Sequence, residues 1–407
     1  MRFLSAAVPP CRGVFKSIND DFRVDEIPLY PFSGSGTHTL VRIEKSGIST
    51  FEALRRVARA LDFPERDVGF AGMKDSRGIT RQWLSLEHVA PERVQALDLP
   101  RVRVLEVTRH GNKLKRGHLA GNRFEVLLRD TPPEDVPHAR ATLELLARRG
   151  VPNWYDAQRF GRRQENARLG LALLKDDLAG YLRVLLGEAE SERDPALQAA
   201  RKAFDDGDTA QALALWPQRG NLERTVLKEL VDRGPGPNTL KKLPQKVKLF
   251  QLSAAQSLLF NRALDRRFPA IDRILPGDVC QKENGACFVA EDAAAEQPRA
   301  DAFEISPTGP IFGYKMLPAG SEAAAQEQAV LAEAGLTLEQ FDVGRGLSQK
   351  GDRRDYRFRA MDVQCEHDAG QNVLSLRFTL PKGCYATVLL KEITKQDTGD
   401  LSFPEDD

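Results

Sequence analysis

The chain has 407 residues and a mass of 45.3 kDa, with 41% hydrophobic and 29% charged residues, which excludes global disorder and predicts two domains. Lysine and arginine number 59 against 58 aspartate and glutamate, a net charge of +1, so a uniformly basic surface is excluded and any polyanion site must come from local clustering. Five cysteines, widely spaced and without a C-x-x-C pair, argue against a disulfide framework or a cysteine zinc site and suit a reducing compartment. The opening MRFLSAAVPPC is too short in apolar residues for a signal peptide, and no apolar run reaches the ~18 residues of a membrane helix. A soluble, cytoplasmic protein is expected.

Strand and helix signals alternate over the first 150 residues. THTLVRIEK (37–45) puts Thr39, Val41 and Ile43 on one face and Leu40 and Arg42 on the other, the period of a half-buried strand. Ser49 and Glu52 have capping-box spacing, and Phe51, Leu54, Val57 and Leu61 follow at helical spacing. RQWLSLEHV (81–89) and RFEVLLRD (123–130) read as further strands, and a helix is expected from about Pro133 to Arg149 with Gly150 closing it. Residues 160–232 read as mostly helical, RGPGPN (233–238) as a turn, and LSAAQSLLFNRALDRRF (252–268) as an amphipathic helix. From 321 to 344 there are four Glu, one Asp and no Lys or Arg, an acidic surface helix that should repel phosphates. NVLSLRFTL (372–380) alternates as a strand after a GQN turn, YATVLLKEI (385–393) reads as another strand or buried segment, and the tail GDLSFPEDD as frayed. This β-rich, α-rich, β-rich order suggests an α+β unit split by a helical insertion.

Three segments concentrate positive charge. RHGNKLKRGHLAGNR (109–123) holds five Lys or Arg and no acid, KKLPQKVK (241–248) four Lys and no acid, and RRDYRFR (353–359) four Arg with two aromatics. Such runs suit backbone tracking and base stacking on RNA, although each could equally be a solvated face. In GFAGMKDSRGITRQWLSL (69–86), glycines flank Lys74 and Asp75. A loop of this kind can hold an aspartate ionised beside cations (Lys74, Arg77, Arg81), poised as nucleophile or general base, or be no more than a turn before a strand. The six histidines show no metal spacing, and HExxH, GxSxG, the P-loop and GxGxxG are absent.

GFAGMKDSRGITRQ resembles the AG-x-KD-x-x-x-x-T-x-Q signature of the TruD family of pseudouridine synthases. Six further matches follow the family's order: KSINDDFRVDE (16–26), LAGNRFEVLLR (119–129), VPNWYDAQRFG (151–161), LSAAQSLLFN (252–261), SPTGPIFG (306–313) and LPKGCYATVLLKEI (380–393). The resemblance implies an α+β fold. It consists of a pseudouridine synthase catalytic domain with a mixed or antiparallel sheet (1–152 plus 350–407), interrupted by a family-specific, largely helical α+β insertion domain (153–349). It implies isomerisation of a uridine in tRNA, uridine 13 in the usual bacterial case, with no metal or organic cofactor. Expected partners are tRNA alone: no membrane, no obligate protein partner, a monomer.

By the same resemblance Asp75 matches the nucleophile and Lys16 a family lysine that would pair with it. Phe22, Phe124 and Tyr385 match positions lining the uridine pocket, Asn122 the residue reading the base, and Arg159 a phosphate contact or a residue fixing the domain junction. Without the family, the three aromatics would read as core and Asn122 as a turn residue. Departures from the pattern are Cys384 for a common Ser, Lys391 for a common Arg, which gives up bidentate contact, and Tyr385 for a frequent Phe. Two other classes fit parts of the sequence: a non-catalytic RNA-binding module, which would have no use for Asp75, and an aspartate-dependent nucleosidase, which would want a second carboxylate or a metal.

Overall fold

The computed structural model describes residues 1–161, 163–218, 221–236, 238–344 and 346–396. Among the described residues two compact units are present, Met1–Pro152 with Phe358–Gln396, and Asn153–Arg357. The first begins with β1 (Phe22–Pro28), β2 (His38–Ser46), α1 (Thr50–Leu61), β3 (Gly69–Phe70), β4 (Ile79–Glu87), a short α2 (Pro91–Gln95), β5 (Val102–His110), β6 (Leu119–Leu128), α3 (Val136–Arg149) and β7 (Val151–Pro152). The second holds α4 (Glu165–Leu174), α5 (Leu178–Leu186), α6 (Pro195–Asp205), α7 (Thr209–Leu215), α8 (Asn221–Arg233), α9 (Gln245–Arg267), β8 (Val279–Lys282), β9 (Cys287–Val289), α10 (Ala293–Asp301), β10 (Ile305–Ile311), α11 (Ser321–Ala334) and β11 (Asp352–Asp355). The chain continues through β12 (Arg357–Phe358) and completes the first unit with β13 (Met361–Asp368), β14 (Val373–Pro381) and α12 (Ala386–Thr394).

The first unit is built on an eight-stranded sheet, β13-β14-β6-β1-β4-β2-β5, with β3 added to β4. It is mixed: β1 runs parallel to β4, and the other pairs in this sheet are antiparallel. The alternation in β2 turns Val41 and Ile43 onto α1, where Ala53, Leu54, Val57 and Leu61 meet them together with Leu84 and Leu86 of β4. Ser49 caps α1 by accepting the Glu52 N–H, as its spacing predicts. Gly150 closes α3 at φ 85°. The second unit pairs a helical core around Tyr181, Leu185, Leu186, Trp216, Val226 and Leu227 with a four-stranded sheet, β11-β10-β8-β9. The α+β class read from the sequence is the class observed.

Two expectations are corrected. YATVLLKEI, read as a strand or a buried segment, is buried but helical: α12 runs from Ala386, and every residue from Val388 to Thr394 is buried. A short apolar run buried all round carries neither period, so its sequence does not separate helix from strand. RRDYRFR is not an exposed basic track. Arg353 forms a buried pair with Glu327 at 2.6 Å, and Arg357 is buried with its guanidinium over the Phe303 ring. Arg354 stacks 4.2 Å from the Tyr155 centroid and donates to Asn153 Oδ1. These arginines support the second unit's own core. The tail after Gln396 lies outside the described residues.

Candidate active site

The glycine-flanked loop from Ala71 to Gly78 joins β3 to β4, and its backbone is held from several directions. Thr50, in the first turn of α1, accepts the Lys74 N–H on its hydroxyl at 2.9 Å and donates to Gln82 Oε1 at 3.0 Å. Lys45 donates from Nζ to the Asp75 carbonyl at 2.6 Å and to the Ile48 carbonyl at 2.7 Å. Gly78 sits at φ +135°, and a Cβ there would meet the Phe22 carbonyl at 2.5 Å, so only glycine lets the loop re-enter the sheet against β1.

The Asp75 carboxylate emerges from this frame with its side chain 38% exposed, and its Oδ2 lies 3.6 Å from Lys16 Nζ. Lys16 is itself confined: its side chain is 9% exposed, its backbone is left-handed at φ 61°, and its ammonium lies 4.0 Å from the Phe22 ring centroid. The ammonium is thus held between the carboxylate and an aromatic face. Phe22 packs against Phe124 with centroids 6.0 Å apart, and Phe124 stacks on Phe378 at 5.4 Å. Phe22 and Phe124 are only 1% and 6% exposed, so in this structure they form a floor rather than open stacking faces.

Lys74 does not turn toward Asp75. Its ammonium is buried, 2.8 Å from Glu26 Oε2 and 2.7 Å from Asn122 Oδ1. Glu26 also accepts the Trp83 N–H at 3.2 Å. An ammonium demands an acceptor, so the Asn122 oxygen is committed to Lys74 and its amide N–H groups remain to donate elsewhere. Arg81 is likewise engaged, with Asp25 and Glu44. Lys16 thus lies at the carboxylate and Lys45 beneath the backbone of the aspartate.

Lys16, Asp75, Phe22, Phe124 and Asn122 thus assemble in the first unit around one loop. Tyr385, half-buried, stands at the N-cap of α12 in the same unit. Arg159 belongs to the second unit, where it donates to Ser253 and Ser257 of α9 and lies over the Phe250 ring. Asn153 is tied to the Asp355 carbonyl and to Arg354 in that unit. Among the described residues, no three His, Cys, Asp or Glu side chains are placed to share a metal ion.

Sequence reasoning missed the roles of Lys45 and Glu26. Burial lowers the Lys45 pKa from 10.5 to about 8, against the pull of Asp75. Between those two values the folded state has released the Lys45 proton while the unfolded chain still binds it, so stability contributed by this group rises with pH. Relative to Lys45→Met, the unfolding free energy of the wild type should gain on the order of 3 kcal/mol from pH 7 to pH 10.5. Urea titrations of both proteins across that range check this, and parallel curves would contradict it.

Comparisons with known proteins identify the family. A family model described as tRNA pseudouridine synthase D matches residues 1–393. The chain is 45% identical over 402 residues to tRNA pseudouridine synthase D of Geobacter sulfurreducens, covering 97% of each chain. It is 39% identical over 412 residues to the protein of the same description from Anaeromyxobacter dehalogenans, covering 100% of this chain and 99% of that one. A crystal structure from Methanosarcina mazei, assigned as tRNA pseudouridine synthase D, matches with a TM-score of 0.82 at 26% identity over 98% of this chain and 96% of that one. The chain belongs to the TruD family of tRNA pseudouridine synthases.

Proposed function

We propose that this chain, a tRNA pseudouridine synthase by family, isomerises uridine 13 of tRNA to pseudouridine with Asp75 as the nucleophile. The observation that carries the reading is the half-open Asp75 carboxylate, 3.6 Å from a buried lysine and fixed through its own carbonyl by Lys45. The reaction breaks the N1–C1′ bond, turns the uracil, joins C5 to C1′, releases the C5 proton to solvent and places a solvent proton on N1. It is redox-neutral, so no cofactor enters the balance. Asp75 serves either by attacking C1′ or by assisting elimination to a glycal, and both routes need the carboxylate charged and aimed at the sugar.

The target base must leave its stack, at a cost of a few kcal/mol. In our reading the base enters above the Phe22–Phe124 floor. Tyr385, the most accessible of the three family-matched aromatics, offers a ring, and Asn122 donates its amide N–H to a uracil carbonyl. Arg159 is the proposed phosphate contact of the second unit, which we read as the family's insertion domain. No helix among the described residues is long and apolar enough to cross a membrane, and we place the reaction in the cytoplasm on a monomer.

The test is position-specific mapping of pseudouridine in a tRNA transcript after incubation with the purified chain. Modification confined to position 13, and abolished in a transcript carrying cytidine there, is the expected result. Pseudouridine elsewhere with position 13 untouched would overturn the site assignment.

A further inference from the structure

A second pocket, of about 730 Å³, opens in the first unit away from Asp75. The segments 30–38 and 110–118 frame it, and its lining contains two lysines, three histidines and Tyr30 but no carboxylate. Its walls are prearranged. Tyr30 stacks on His110 with centroids 5.3 Å apart at 29°, and its hydroxyl lies 3.0 Å from His118 Nδ1. The Ser33 N–H donates to His110 Nδ1, which makes that nitrogen an acceptor and leaves Nε2 to carry the proton of the neutral ring. Gly36, at φ +125°, lies so close that a Cβ would meet the His110 carbonyl at 2.5 Å.

What these walls surround is unpartnered. The Lys113 and Lys115 ammonium groups make no ion pair or hydrogen bond among the described residues. His38 lines the pocket at 6% exposure, with Nδ1 buried and lacking a hydrogen-bond partner among those residues. The nearest carboxylate, Glu87, is 3.8 Å from the other ring nitrogen of His38. A Cβ on Gly111 would meet nothing within 4 Å, so the backbone there is open to a ligand. Unpaired cations, imidazole donors and an aromatic wall are the chemistry that holds a nucleotide and its phosphate.

The basic segment that lines the pocket also reaches the Asp75 loop. The Gly117 N–H donates to the Ala71 carbonyl at 2.8 Å, and exposed Lys115 and Arg116 lie between. Along β2, the seven residue steps from His38 to Lys45 span ~23 Å. A strand entering at the pocket can therefore follow residues 111–117 toward the carboxylate. We infer that this pocket, through Lys113, Lys115, His38 and the Tyr30–His110 wall, binds a nucleotide of the substrate RNA about 20–25 Å from the isomerised uridine. The assignment rests on the reading that the chain modifies RNA.

The double variant Lys113→Gln/Lys115→Gln tests it in steady-state kinetics on a tRNA transcript at several salt concentrations. Expected are a rise in KM of about tenfold, a salt slope of log affinity lower by about two, one per lysine, and a kcat within about twofold of wild type. An unmoved KM and salt slope, with the wild type still modifying the transcript, would overturn the pocket and leave the proposed reaction standing. A wild type that modifies no RNA would overturn both. A second arm titrates AMP against both proteins by calorimetry. AMP binding that the substitutions abolish while KM for tRNA stays fixed would identify a free-mononucleotide site and overturn the RNA assignment.

Discussion

Asp75→Asn is expected to lose at least about 10⁴-fold in the single-turnover rate on tRNA, with tRNA affinity unchanged or slightly tighter. The amide keeps the shape of the carboxylate and the carbonyl contact to Lys45, which uses the backbone alone. What disappears is the charge that Lys16 faces at 3.6 Å and the nucleophilic oxygen itself. Binding survives because phosphate contacts, not this carboxylate, supply affinity for a polyanion, and removing one negative charge relieves repulsion. Rapid-quench kinetics beside filter binding read the two quantities separately. A variant that turns over within tenfold of wild type would remove Asp75 as nucleophile.

The second large effect concerns stability. Glu26→Ala strands the Lys74 ammonium, whose side chain is 4% exposed, with only the Asn122 oxygen for company. Breaking a buried ion pair from one side costs about 3–5 kcal/mol, because the remaining charge stays desolvated. The same change loosens Lys74, which orients Asn122 and belongs to the Asp75 loop, so activity should fall with stability. The double change Glu26→Met/Lys74→Met separates the two effects. Replacing both charges with apolar groups of similar length should recover most of the lost stability. Activity should stay low, because Asn122 then loses the partner that orients its amide. Denaturant unfolding and turnover on the single and double variants check this. A double variant as active as wild type would mean that the pair contributes only to folding.

Much of the first unit was legible because its strands keep a clean period of two. The alternation that puts Thr39, Val41 and Ile43 inward also puts Lys45 inward, and the alternation of Phe22 and Val24 does the same to Glu26. A lysine or glutamate on the buried phase of a strand is costly unless paired, and that was the available signal for both. It named no partners, since Glu26 meets Lys74 and Lys45 meets Asp75 across loops whose path no periodicity encodes. The charge runs were legible only as composition. The 109–123 run keeps Lys115 and Arg116 exposed, whereas in 353–359 Arg353 and Arg357 are buried in the second unit. The difference lies in what faces each run, a helix carrying Glu327 in one case and solvent in the other. The acidic helix read at 321–344 ends at Ala334, and its Glu327 turns inward to meet Arg353. The α12 helix was hidden because burial on all sides erased its period.

The most direct test of the account is a doubly labelled tRNA carrying tritium at uracil C5 and carbon-14 in the ring at position 13. The wild type should release one tritium per tRNA while all carbon-14 stays in the RNA, and Asp75→Asn should release none. Free carbon-14 uracil in solution, or tritium release that persists without the carboxylate, would contradict it.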